Sequence, residues 1–280
     1  MRLRLFPKQV GSESLTMPIS LVDRLQNKIA RMDSMAQMAA ALSAATAQIA
    51  EMRKELQEIK QRVYMMDVYD YRNVFKHAHQ LGSISSARYW MEHMDGLPGF
   101  NHRDDLLAFS LDSVTIDGQW LEFGVADGGS ISWTAQRHPD RTIHGFDSFE
   151  GIPEKWAFNV QFAYDRGGVL PPVPSNVVLH KGWFDATVPP FFEQNRQPIA
   201  FMHVDCDIYS STKCIFDHSW DLMRPGTIIQ FDEYWNYAGW ENHEHKAFLE
   251  MINERGMTYE YIGQVSISEQ VSVKITGVPG

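Results

Sequence analysis

Cysteine is almost absent from this 280-residue sequence; Cys206 and Cys214 are the only two. Two thiols cannot staple a chain of this length, and no Cys-x-x-Cys metal pattern occurs. Both therefore read as reduced thiols of a cytoplasmic protein. No run reaches the roughly 18 apolar residues of a membrane helix, so membrane contact is not expected. The opening MRLRLFPKQVGSES carries charge but no apolar stretch, which argues against a secretory leader. Neither HExxH nor GxSxG is present, so the eleven histidines do not point to catalytic zinc, nor the serines to a hydrolase. Basic side chains are in deficit, 25 against 35 acidic, and the deficit is local. Residues 1–66 carry ten basic and six acidic groups, leaving 15 and 29 for residues 67–280. A body so acidic repels a phosphate backbone, and no nucleic-acid partner is expected.

What remains is ordinary globular material, 44% apolar and 21% charged. It is not uniform. All eight Trp lie between Trp90 and Trp240, whereas eight of the 14 Met fall within residues 1–66. No Gly or Pro interrupts residues 19–66. From Met35 the apolar positions run Met38, Leu42, Ala45, Ile49, Met52, Leu56, Ile59, Val63 and Met66, alternating steps of three and four. This is the seam of a coiled coil. Ile19, Val22, Leu25, Ile29 and Met32 extend it upstream, and the three-residue step from Met32 to Met35 reads as a stammer. Residues 1–66 are thus expected to form a helical segment that makes a homo-oligomer. The alternative is a long amphipathic helix packed on its own domain.

Residues 67–118 are rich in aromatics and His, with turn signals at Gly82 and at Gly96, Pro98 and Gly99; they read as a linker or lid of short helices. From Gln119 the pattern changes. Short β-rich runs, WLEFGV, TIHGFD, NVVLH, IAFMHVD, TIIQFD, TYEYIG and QVSVKI, alternate with longer segments. Such alternation predicts an α/β, Rossmann-like domain over 119–280, with a mostly parallel sheet covered on both faces. The last two runs are too close for a helix between them and are expected to pair as a hairpin.

In open α/β sheets, ligands sit beyond the carboxyl ends of the strands. The first run leads through Glu122 into Gly124, Asp127, Gly128, Gly129 and Ser130. Glycines there let the backbone turn tightly, and the helix starting near Ser130 offers free N–H groups. The spacing is not GxGxxG, which argues against a dinucleotide. The second run ends at Asp147-Ser148, about 20 residues past the glycines, where an acid suits ribose hydroxyls. Loop and acid together point to a nucleoside-containing ligand. Trp183 and Phe184, after the third run, stand where an adenine could stack, although buried core residues would look the same.

The segments LEFGVADGGS, GFDSFEGIPEKW, KGWFDATVP, HVDCDIYSSTK and FDEYWNYAGWENHEHKAF together resemble class I S-adenosylmethionine-dependent methyltransferases. More narrowly, they resemble the macrocin O-methyltransferase-like group, which methylates sugar hydroxyls. The resemblance spans about residues 119–275. It implies seven strands in the order 3-2-1-4-5-7-6 and S-adenosylmethionine as donor. It places Glu122, Gly124 and Gly128 around the methionine moiety, Asp147 at the ribose, and Trp183 and Phe184 at the adenine; Ser130 and Ser148 are further candidates for binding the donor.

The fourth and fifth runs end in Asp205-Cys206-Asp207 and Asp232-Glu233. Adjacent strand ends bring four carboxylates together, where they repel and raise one another's pKa. A hard divalent cation such as Mg²⁺ relieves this; helix caps and salt bridges with Lys213 or Arg224 are the alternative. The resemblance supports the metal and implies Asp205, Asp232 and Glu233 as its ligands, with Glu233 standing where relatives commonly carry Asp. A sugar hydroxyl is protonated at neutral pH and needs a base, for which Asp207 is the candidate and Asp205 or a nearby His the runner-up. Tyr234, Trp235, Tyr237 and Trp240 could wall a sugar ring or pack in the core. The sequence expectation is metal-dependent methylation of a sugar, glycan or glycosylated metabolite. A phenol or catechol acceptor shares the same chemistry, and a non-catalytic nucleotide-binding scaffold is the rival from another class.

Overall fold

The computed structural model describes residues 20–154, 156 and 164–279. Ile19 with the rest of the first 19 residues, and Lys155 of the GIPEKW motif, lie outside them. The chain divides into two compact units between Arg72 and Asn73, later than the expected 66/67 boundary.

The first unit contains α1 (Leu21–Arg72), an uninterrupted 52-residue helix. A capping box starts it. The Ser20 Oγ accepts from the Asp23 N–H at 3.1 Å, and the Asp23 carboxylate accepts from the Ser20 N–H at 3.1 Å. Its apolar seam is open to solvent, with Leu42 at mid-seam 71% exposed.

The second unit begins with α2 (Val74–His93), capped by the Asn73 Oδ1 accepting from the Phe75 and Lys76 N–H groups at 3.1 Å. There follow β1 (Gly99–Phe100), α3 (Arg103–Asp112), β2 (Gln119–Phe123), α4 (Gly129–Arg137), β3 (Ile143–Asp147), β4 (Val177–Lys181) and α5 (Phe184–Gln194). Then come β5 (Ile199–Val204), α6 (Tyr209–Ser219), β6 (Ile228–Phe231), α7 (Glu244–Arg255), β7 (Thr258–Val265) and β8 (Val271–Gly277). The sheet order is β4-β3-β2-β5-β6-β8-β7-β1. Strands β4 to β6 run parallel; β8 is antiparallel to both β6 and β7, the expected hairpin. Every residue of β2, β5 and β6 is buried, as befits strands covered on both faces.

The count of seven strands is corrected to eight. With β1 set aside, the other seven lie in the order the resemblance implied. The extra strand pairs only Gly99 and Phe100 with Gln264 and Val265, too short a ladder to leave a period-two pattern. The region expected to hold short helices also contains the 20-residue α2. That helix grips the loop after β6. The Ser85 Oγ accepts from the Trp240 Nε1 and the Ser86 Oγ from the Asn236 N–H, both at 2.8 Å. A Cβ on Gly82 would overlap the Tyr237 carbonyl, so the close approach requires glycine there. Tyr234, Trp235, Tyr237 and Trp240 are consequently core residues rather than a wall for a sugar ring.

Candidate active site

The site is assembled by a stagger of strand ends. Past the ladder, the Gly124 N–H donates to the Phe146 carbonyl, the Asp205 N–H to Phe123 and the Asp232 N–H to Val204, at 2.8–2.9 Å. This sets the acids that follow β5 and β6 side by side, next to the loop that follows β2. Gly124 has φ +93°, and a Cβ there would overlap the Asp205 carbonyl oxygen. Only glycine lets the two loops touch.

A cavity of about 970 Å³ opens at these carboxyl ends. Of the residues expected to hold the donor, Gly124, Ser130, Asp147, Ser148, Trp183 and Phe184 line it, and so do Asp205, Asp207, Asp232 and Glu233. The residues expected to hold the donor and the acids share one chamber. Glu122 and Gly128 are not among its lining residues. The buried Glu122 carboxylate accepts from the Ser130 Oγ at 2.8 Å and pairs with the His203 Nδ1 at 3.1 Å, so it acts through its neighbours. Gly128 is the N-cap of α4, with φ +79°, and presents Gly129 and Ser130 to the cavity.

Asp147 is more occupied than a ribose ligand was expected to be. Its Oδ2 accepts from the Val125 and Ala126 N–H groups at 2.8 Å and its Oδ1 from the Phe149 N–H at 2.7 Å. A carboxylate has about four acceptor positions, so about one remains for a hydroxyl. Phe184 meets Phe123 edge-on with ring centroids 5.9 Å apart, and Trp183, the N-cap of α5, stays half-buried.

Around the acids stand three residues that sequence reasoning did not single out as partners. The Arg103 Nη2, from the start of α3, lies 3.1 Å from the Asp205 Oδ2 and 3.0 Å from the Asp232 Oδ1. His203 is buried between Glu122 and Asp232, with its Nε2 3.7 Å from the Asp232 Oδ1. Glu244, at the start of α7, accepts from the Cys206, Asp207 and Glu233 N–H groups at 3.2 Å and ties both acidic loops together. His203 and Glu244 stood inside quoted motifs, HVDCD and ENHEH, but nothing in their spacing marks what they touch. Arg103 lies outside the resemblance. His245, by contrast, packs among Tyr89, Tyr234 and Trp240 and takes no part in the cavity.

The titration behaviour follows from this crowding. Burial and the adjacent Asp232 push the Asp205 carboxyl well above the usual carboxylate range. Burial and then Asp207 do the same to Glu233 and Glu244. Asp207 is pushed up to about 7 by burial, with Asp232, Glu269 and Asp147 adding to it. Burial would also raise Asp232, but His203 and Arg103 outweigh it and hold its pKa down. For His203, burial disfavours the charge, yet Asp232 and Glu122 prevail and raise it to about 10.

Asp207 also carries backbone strain. Its φ is +64°, and the Ile208 N–H donates to the Cys206 carbonyl at 2.7 Å across it, a three-residue turn that aims the side chain into the cavity. The donor set suits a hard cation. One atom each of His203, Asp205 and Asp232 lie within 4.8 Å of one another, and the buried Glu233 Oε2 has no hydrogen-bond donor among the described residues. Within that group, Asp205 and Asp232 supply the oxygen atoms that a hard cation prefers. Glu233 lines the cavity but stands outside that group of three.

A carboxyl whose folded pKa lies above its unfolded value keeps a proton that the unfolded chain has already lost. Between about pH 4 and 7, Asp207 should therefore lower stability as pH rises. In EDTA, the melting temperature of the wild type should fall more between about pH 5 and pH 8 than that of Asp207→Asn. Equal falls would show that Asp207 titrates normally.

Residues 121–234 match the family Methyltransf_24, described as a methyltransferase domain. No curated protein matches the chain. Among solved structures, it is similar to CalS11, a calicheamicin methyltransferase, with 24% identity over 61% of this chain and 76% of that one and a TM-score of 0.47. It is also similar to the O-methyltransferase NovP, with 20% identity over 62% and 79% of the two chains and a TM-score of 0.48. An O-methyltransferase from Bacillus cereus in complex with SAH shares 13% identity over 76% of this chain and 97% of that one, with a TM-score of 0.41. The glycine loop, the acid after β3 and the acids after β5 and β6 all fall inside the matched segment, which is similar to a methyltransferase domain.

Proposed function

We propose that this chain transfers a methyl group from S-adenosylmethionine to a hydroxyl of a sugar, glycan or glycosylated metabolite, with Mg²⁺ or another hard divalent cation as cofactor. The observation that carries this reading is the single chamber in which the donor residues and the carboxylate cluster face one another. The sugar class rests on the resemblance of the strand-end motifs.

When bound, the donor supplies an electrophilic methyl group and the cation favours the ionised form of a nearby hydroxyl. Asp205 and Asp232 would hold the cation, and Glu233 would reach it through its longer arm. The loop from Gly124 to Ser130 and Asp147 would fix the donor, with Trp183 and Phe184 at its adenine. Asp207, with its raised pKa, is matched to accept the hydroxyl proton near neutral pH. Glu244 keeps the Asp207 and Glu233 loops in register through their backbone N–H groups. The rest of the rate then comes from orientation, which can be worth several kcal/mol.

The test is a methyl-transfer screen against sugar nucleotides, oligosaccharides and catechols, with and without EDTA. Transfer to a saccharide hydroxyl should be lost in EDTA and restored by Mg²⁺. Asp205→Ala and Asp232→Ala should lose cation affinity and activity together. Asp207→Asn should keep the cation and lower turnover by roughly 10²–10⁴-fold, the usual range for a general base. Full activity in EDTA would refute the cation reading, and transfer to catechols alone would refute the sugar reading.

We further infer that α1 joins copies of this chain. The support is its seam, regular from Met35 to Met66 and exposed throughout in the single chain. Light scattering should show an oligomer for the full chain and a smaller species after deletion of residues 1–66, with S-adenosylhomocysteine binding retained. A monomeric full chain at tens of micromolar would refute this.

A further inference from the structure

Arg103 is oddly placed for a helix. It is the first residue of α3, where the helix dipole disfavours a positive charge. The residues after it, Asp104 and Asp105, are the kind that position favours, and the N-cap His102 contributes no side-chain bond. What Arg103 gains instead is the pair of acids. One nitrogen, Nη2, sits 3.1 Å from the Asp205 Oδ2 and 3.0 Å from the Asp232 Oδ1. Those are the carboxylates that would hold the divalent cation. The Asp232 side chain is 4% exposed and that of Arg103 is 47% exposed, so the guanidinium reaches the buried acid from the solvent side.

A guanidinium and a small divalent cation cannot both use these oxygens. Mg²⁺ binds carboxylate oxygen at about 2.1 Å, and the two positive groups would face each other over the same lone pairs. Without either, Asp205 and Asp232 would be left to repel each other beside the further negative charge of Asp207 and Glu233. Resting on the cation reading above, we propose that Arg103 is a tethered counter-cation: it bridges Asp205 and Asp232 while the cation is absent and is displaced when one binds. It is a positioning residue. It keeps the two ligands together in the empty enzyme and, by competing for them, weakens cation affinity. Release costs the fold little, because the side chain starts at a helix end and is half-exposed.

The test is calorimetric titration of the full chain with Mn²⁺, for wild type, Arg103→Ala and Arg103→Gln, together with melting curves in EDTA. Both variants should bind Mn²⁺ about tenfold more tightly or better, each tenfold being about 1.4 kcal/mol. Both should also melt below the wild type in EDTA and lose that difference in saturating Mn²⁺. A purely structural role for Arg103 would lower cation affinity, not raise it. Equal or weaker affinity in both variants overturns the proposal while leaving the cation reading intact. If no form binds Mn²⁺ although all bind S-adenosylhomocysteine, the cation reading itself is wrong and the proposal falls with it.

Discussion

Three parallel strands, β2, β5 and β6, finish side by side, and the turns after β5 and β6 bring Asp205, Asp207, Asp232 and Glu233 into a small buried volume. Removing carboxylates from water and setting them together is costly unless positive charge or N–H donors offset it. Most unusual features nearby answer to that constraint. His203, its pKa raised to about 10, lies beneath Asp232, and Arg103 reaches in from α3. Asp205, even beside Arg103, and with it Asp207 and Glu233 keep raised pKa values. The divalent cation of the proposed function would add the charge the cluster lacks.

The same constraint links the acid cluster to the loop assigned to the donor. The Asp205 carbonyl lies against Gly124, so the β2 and β5 turns cannot move apart or together independently. Asp147 fastens the other side of that loop by accepting from Val125 and Ala126. Glu122 continues the chain of contacts from Ser130 through to His203 and so to Asp232. A methyl donor seated against the loop would thus be registered against the acids by covalent geometry and a few short bonds. Such registration is what an in-line displacement requires.

Much of this was legible in the sequence because parallel α/β folds write their sites at strand ends. The seven apolar runs give the sheet, and four of them place a cavity residue at or near their end: Gly124, Asp147, Asp205 and Asp232. The edge strand Gly99–Phe100 escaped notice because two residues carry no periodicity. The aromatic quartet after Glu233 was ambiguous, since Tyr234 and Trp240 have the same composition whether they wall a ligand or fill a core; α2, with Gly82, Ser85 and Ser86, decides for the core. Arg103 was invisible for another reason. It comes from more than 100 residues before Asp205, and an isolated arginine at a helix start carries no spacing signal. Pairings such as Glu122 with His203, and Glu244 with the Asp207 turn, exist only once the strands are side by side.

Anomalous diffraction from crystals grown with Mn²⁺ and S-adenosylhomocysteine would test the central claim, that one chamber houses both donor and cation. The account predicts a single Mn²⁺ peak within coordination distance of Asp205 and Asp232, with the nucleoside between the Gly124–Ser130 loop and Trp183. A nucleoside seated there with no Mn²⁺ at the carboxylates, or a Mn²⁺ bound away from them, would contradict it.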